Sequence, residues 1–106
     1  MKKSKPDPGL AGREIYYAGW GSYRIPFVPQ EEISEQEARS RRTYYVGRYD
    51  SEGRLARFDK YLDGEREWTD EYAYWDNGRL KERVMLKSDG SQTVQRFDRK
   101  GKLLDQ

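Results

Sequence analysis

The sequence has no cysteine and no histidine. The first absence excludes a disulfide framework and thiol chemistry. The second removes the commonest general base, and it leaves carboxylates as the only side chains for a metal, a set that suits hard cations alone. No metal, cofactor or enzymatic activity is therefore expected. Long apolar runs are missing too. Only 34% of residues are apolar, and no stretch approaches the roughly 20 apolar residues of a membrane-spanning helix. The basic start, Met1-Lys2-Lys3-Ser4-Lys5-Pro6-Asp7-Pro8-Gly9, is not followed by the apolar core of a signal peptide. Cytoplasmic residence without membrane association is the expectation. An excess of one charge is lacking as well: 21 basic and 19 acidic residues give a net charge of +2. No long-range field for nucleic acid follows from that balance.

What is present fits one small domain. Charged residues make up 38% of the 106 positions, well above the ~25% usual for a globular chain. Such a composition would suit disorder, but disordered chains are poor in aromatics. This chain has nine Tyr, three Trp and three Phe. Aromatics without many aliphatics suit half-buried strands. One antiparallel sheet with a wet face accommodates both the rings and the charge.

Residues 1–13, rich in Lys, Pro and Gly, read as a flexible tail, and residues 14–106 as one β-repeat domain. Glu14-Ile15-Tyr16-Tyr17-Ala18 is strand-like. A Gly-rich turn, Gly19-Trp20-Gly21-Ser22, leads to Tyr23-Arg24-Ile25-Pro26-Phe27-Val28, where Pro26 predicts an edge strand or an extended loop. Ser34-Glu35-Gln36-Glu37 is a capping box that opens one short helix near residues 34–42. With only Ile33 and Ala38 as apolar support, that helix has to be held by docking.

From Thr43 the turns become regular. They fall at Asp50-Ser51-Glu52-Gly53, Asp63-Gly64, Asp76-Asn77-Gly78, Ser88-Asp89-Gly90 and Asp98-Arg99-Lys100-Gly101. Asp-Gly and Asn-Gly between β-rich runs signal hairpins. The implied strands are 43–49, 54–62, 65–75, 79–87, 91–97 and 102–105. Gly53-Arg54-Leu55, Gly78-Arg79-Leu80 and Gly101-Lys102-Leu103 recur 25 and then 23 residues apart. Each follows an aromatic and an acidic residue: Tyr49-Asp50, Trp75-Asp76 and Phe97-Asp98. One unit is then a two-stranded hairpin that has to stack on its neighbours to bury a face. The predicted fold is mainly β: an antiparallel meander of hairpin repeats forming a curved single sheet, with one short helix.

Tyr49-Asp50-x-x-Gly53-Arg54-Leu55, Tyr61-x-Asp63-Gly64 and Tyr74-Trp75-Asp76-Asn77-Gly78-Arg79-Leu80 resemble the hairpin repeats of MORN-like and YD-type bacterial proteins. The stretch from Gly19 to Glu37 resembles a small uncharacterised bacterial family that carries such hairpins. The resemblance covers about residues 43–104 and implies architecture first. It also implies an antitoxin-like, immunity or scaffold role, with no catalytic residues to transfer. The tail glycines of a strict MORN unit are missing, so lipid binding is not implied.

Two-residue loops at Asp63-Gly64 and Asn77-Gly78 would set the register. They put Phe58 against Thr69, Lys60 against Glu67, Trp68 against Lys87 and Trp75 against Leu80. One face then carries Ala56, Phe58, Leu62, Ala73, Trp75, Leu80, Val84 and Leu86, to be covered by the helix and by Ile25-Pro26-Phe27. The other carries Arg57, Tyr61, Arg66, Trp68, Tyr72, Tyr74 and Arg83 with Met85, Lys81 and Lys87, interrupted by Asp59 and Asp70. Those first seven residues are the candidate partner-binding surface. Rings offer stacking area, and cations offer carboxylate or phosphate contacts. The plainer reading is a solvated face whose cross-strand pairs contribute about 0.2–1 kcal/mol each.

Three smaller features complete the survey. Glu71 and Glu82 fall as diagonal neighbours and would act as acid and base only if held close together in an apolar setting. Otherwise each pairs with a nearby cation, with Lys60 and Arg54 in reach. Gly19-Trp20-Gly21 offers either an anion nest or a tight turn with a buried ring. Arg39-Ser40-Arg41-Arg42 ends the helix, where cations suit the dipole. The leading expectation is a non-enzymatic module that binds a protein partner, with a single-stranded nucleic-acid module as the alternative. The assembly expected is a monomer or an edge-paired homodimer.

Overall fold

A computed structural model describes residues 6–21 and 25–104. The elements in chain order are β1 (Glu14–Gly21), β2 (Val28–Ile33), α1 (Glu35–Ser40), β3 (Thr43–Tyr49), β4 (Leu55–Leu62), β5 (Glu65–Tyr74), β6 (Leu80–Lys87) and β7 (Gln92–Arg96). All seven strands form one antiparallel sheet in the order β2-β1-β3-β4-β5-β6-β7. The sheet is open and uncurled. No described helix is long and apolar enough to cross a membrane.

The turn chemistry does what its residue types require. Gly53, Gly64, Gly78, Gly90 and Gly101 all have positive φ, one at each expected turn. Asp50 and Asp98 each accept two backbone N–H bonds across their turns, from Glu52 and Arg54 and from Lys100 and Lys102. The middle turn has Trp75 where the others have Asp, and there Asn77 accepts from the Arg79 N–H instead. The repeat is visible in the pairing as well: Tyr49 lies opposite Leu55, Tyr74 opposite Leu80, and Phe97 opposite Leu103.

The N-terminal half is less regular. The stretch Gly19-Trp20-Gly21 is not a turn. It continues β1 and pairs with Gln30, Pro29 and Val28 of β2. Ser22, Tyr23 and Arg24 lie outside the described residues, as do residues 1–5, 105 and 106. Ile25–Pro26 is a cis peptide. Because β1 lies between β2 and β3, the chain crosses over β1, and α1 packs on β1 and β3 as it does so. Ser34 caps the helix by accepting from the Glu37 N–H at 3.0 Å, as the capping box requires. Of the segment expected to form a tail, residues 7–13 are bonded to the first repeat turn. Asp7 N–H donates to Glu52, Gly12 N–H to Asp50, and Tyr49 N–H to Arg13.

The expected division into faces needs correction. Register shifts between Lys60 and Tyr61, where β5 carries an extra residue (Glu67), and again between Ala73 and Tyr74, where β6 carries Lys81. Each bulge reverses the facing of everything beyond it. Phe58 therefore shares a face with Trp68, Asp70, Tyr72 and Tyr74, not with Ala73 and Val84. The main core lies on this face and gathers Ile15, Tyr17, Leu55, Phe58, Tyr72, Leu80 and Phe97. The helix covers the opposite face, where its Ala38 packs with Tyr44 and Val46. Phe27 packs on the main-core face, so the two covers lie on opposite sides of the sheet rather than together.

Candidate functional site

The main core is sealed at its centre and opens into a groove toward the β5–β6 end. Phe27 closes one side. Its backbone N–H donates to the Tyr72 hydroxyl at 3.3 Å, and that hydroxyl donates to Asp70 at 3.1 Å. The Phe27 ring meets Trp20 at 4.6 Å, Trp68 at 5.6 Å and Phe58 at 5.8 Å between centroids. Beside these rings lies a groove of about 520 Å³ lined by Trp20, Phe27, Trp68 and Met85, with Asp70 and Arg83 among its walls and Glu67, Lys87 and Asp89 also lining it.

The charges are arranged unevenly. Arg83 donates to Asp70 and sits 5.5 Å above the Phe27 ring. Asp70 is almost fully buried, and desolvation raises its pKa against the pull of Arg83. Lys60 holds Glu67 at 2.8 Å. Hydrogen bonds from Ser91 keep the Asp89 carboxyl below its ordinary range. Next to the groove a second hollow of about 480 Å³ is lined by Tyr61, Arg66, Trp68, Leu86, Lys87, Ser88 and Gly90. Trp68, Leu86, Lys87 and Ser88 line both.

The seven candidate residues do not form one surface. Trp68 and Arg83 line the groove, while Tyr61 and Arg66 pair with each other beyond the Glu67 bulge, on the helix-side face, and line the second hollow. Tyr72 is buried as the link between Phe27 and Asp70. Tyr74 packs on the main core and donates to the Leu55 carbonyl at 2.6 Å. Arg57 lies on the helix-covered face, where it donates to buried Asp59 at 3.1 Å. Thr69 also donates to Asp59, at 2.6 Å, and the second Asp59 oxygen has no protein partner.

Sequence reasoning left Trp20 and Phe27 out of the site. Their signal was a run of rings on both sides of a proline, in a chain with few aliphatics to cover a core.

The minor candidates resolve simply. Glu71 and Glu82 share the helix-side face, but their cations lie in different directions: Arg57 at 3.9 Å for Glu71 and Arg96 at 3.0 Å for Glu82. The basic run at the helix end is occupied locally, Arg39 by Glu35, Arg41 by Glu37 and Arg42 by Asp63.

A family model described as a family of unknown function (DUF6156) matches residues 11–106. The chain belongs to that family. The match covers every strand and the groove, and it lends no support to a MORN-like or YD-type relationship. No curated protein and no solved structure matches the chain.

Proposed function

We propose that this DUF6156 protein is a non-enzymatic interaction module that binds a protein partner in the groove between Phe27 and the β5–β6 strands. The observation that carries the reading is the groove itself: two Trp, one Phe and one Met converge on an open hollow on the side of the sheet that the helix leaves uncovered. Aromatic residues and Met are the types enriched where proteins meet: the rings bring large contact area at low entropic cost, and the flexible thioether adapts to the partner's shape. Immunity or antitoxin-like inhibition is one form such binding takes, and the MORN-like and YD-type resemblance is the ground for naming it.

The nucleic-acid alternative draws less support. Of Arg57, Trp68, Tyr72 and Arg83, the two arginines are held by Asp59 and Asp70, and Tyr72 is buried. A hydrolytic role draws none from Glu71 and Glu82, each engaged with its own arginine.

Site-specific photo-cross-linking in host cells tests the proposal. A benzophenone amino acid at Met85 is expected to trap a discrete protein adduct, while the same group at Glu71, on the opposite face, traps none. Adducts at Glu71 alone, or none at either position, would count against the groove.

A further inference from the structure

The hydrogen bonds that the described residues make to the Asp70 carboxylate all reach one of its two oxygens. Tyr72 donates to Oδ2 at 3.1 Å, and Arg83 donates to it through Nε at 2.8 Å and Nη2 at 2.7 Å. Oδ1 accepts from none of the described residues. It is not sealed away either: among those residues the buried side-chain oxygen without a partner is Asp59 Oδ2, on the opposite face. Asp70 is only 4% exposed, and it lines the groove. An uncommitted carboxylate oxygen therefore opens onto a slot walled by Trp20, Phe27, Trp68 and Met85. The donors on Oδ2 fix the carboxyl, so Oδ1 is held in position before any partner arrives.

The register decides what can approach that oxygen. On β6, Arg83, Met85 and Lys87 share the groove face, opposite Tyr72, Asp70 and Trp68 of β5. A cation entering over Met85 would meet Arg83 and Lys87 on either side, and Arg83 already neutralises Asp70. An anion would meet Asp70 itself, with Glu67 and Asp89 also lining the groove. The class that fits is a neutral N–H or O–H donor carried on an apolar ring. Trp and Tyr have that layout, and when buried at an interface they find a partner for their polar end.

Resting on the groove reading above, we infer that the partner inserts a Trp or Tyr side chain among Phe27, Trp68 and Met85, its indole N–H or phenol O–H donating to Asp70 Oδ1.

Selection from a random twelve-residue peptide library displayed on phage, against the immobilised full chain, tests this. Enriched peptides are expected to share a Trp or Tyr, and Met85→Glu should abolish the enrichment. The best peptide is then remade with a ring of the same shape and no donor, benzothienylalanine for Trp or Phe for Tyr. That change should weaken binding to the wild type about tenfold, the size of one hydrogen bond to a charged group. In Asp70→Leu/Arg83→Met, with its fold checked by a thermal melt, the two peptides should bind alike; the wild-type comparison stands without that variant. Enrichment that depends on Met85 but is indifferent to the donor, or that selects Lys or Arg, overturns the inference and leaves the groove reading standing. Enrichment indifferent to Met85→Glu, or no enrichment, overturns both. Displacement of the peptide by a fifteen-nucleotide oligothymidylate, whose bases also carry a ring and an N–H, overturns it in favour of nucleic acid.

Discussion

Arg83 places Nε at 2.8 Å and Nη2 at 2.7 Å from the same oxygen of Asp70. Both groups are largely withdrawn from water, with side-chain exposures of 15% and 5%. Breaking such a pair from one side strands a buried charge, at a cost of about 3–5 kcal/mol. Arg83→Met is expected to lose that much in urea denaturation at pH 7, and less at acid pH, where the carboxyl left without its arginine takes up a proton. Asp70→Leu combined with Arg83→Met should recover most of the loss. Equal losses at both pH values would mean that Asp70 does not carry the penalty.

The carboxylates also titrate in opposite senses. Burial raises Asp70 above the ordinary 3.8. Its contribution to stability is therefore full below 3.8 and is lost as pH rises through the folded value. Asp98 is lowered, chiefly by the Lys102 N–H, and Asp89 by Ser91. Their contributions are present above the ordinary value and are lost as pH falls through the lowered ones. Carboxyl-carbon NMR titration should find Asp70 above 3.8 and the other two below it. The reverse order would contradict the burial of Asp70.

Gly53 and Gly64 give a matched comparison. Their φ values are +82° and +81°, so alanine carries a similar left-handed penalty of about 1 kcal/mol at either. A Cβ at Gly64 meets open space, whereas one at Gly53 falls on the Asp7 carbonyl. Gly53→Ala should therefore cost more than Gly64→Ala in chemical denaturation. The excess should vanish in a chain starting at Gly12. An excess that survives the truncation would show that the N-terminal segment is not its source.

The two sheet edges bear on self-association. Within β2, Pro29 offers no donor and Glu31 has φ +63°; both interrupt a pairing edge. Along β7, the Arg96 carbonyl already accepts from the Leu104 N–H. A monomer is the expected species in sedimentation velocity, and a dimer would require one of these edges to rearrange.

The turns, the hairpin strands and the helix cap were legible because each depends on a few adjacent residues: Asp or Asn before a positive-φ glycine, or Ser34 ahead of Glu37. The faces were not. Glu67 and Lys81 look like ordinary strand residues, and a bulge leaves no local signature when the extra residue is as polar as its neighbours. One unread bulge moved Trp68 from a wet face to the wall of a core. The groove was hidden for a second reason. It forms where Trp20 and Phe27, distant in the chain from β5 and β6, come to lie against Trp68 and Met85, a juxtaposition that no periodicity encodes.

The recurring opposition of Tyr49 with Leu55, Tyr74 with Leu80 and Phe97 with Leu103 gives the domain a direction. The first two leucines are 7% and 1% exposed, but Leu103 is 51% exposed because no further strand flanks it among the described residues. In a stack whose units touch only their neighbours, stability behaves as a chain of nearest-neighbour terms. The weakest term lies at the β7 side, while the opposite end is locked by the crossover and its helix. Amide exchange should accordingly rise in order from β4 toward β7, as in a zipper that opens from one end.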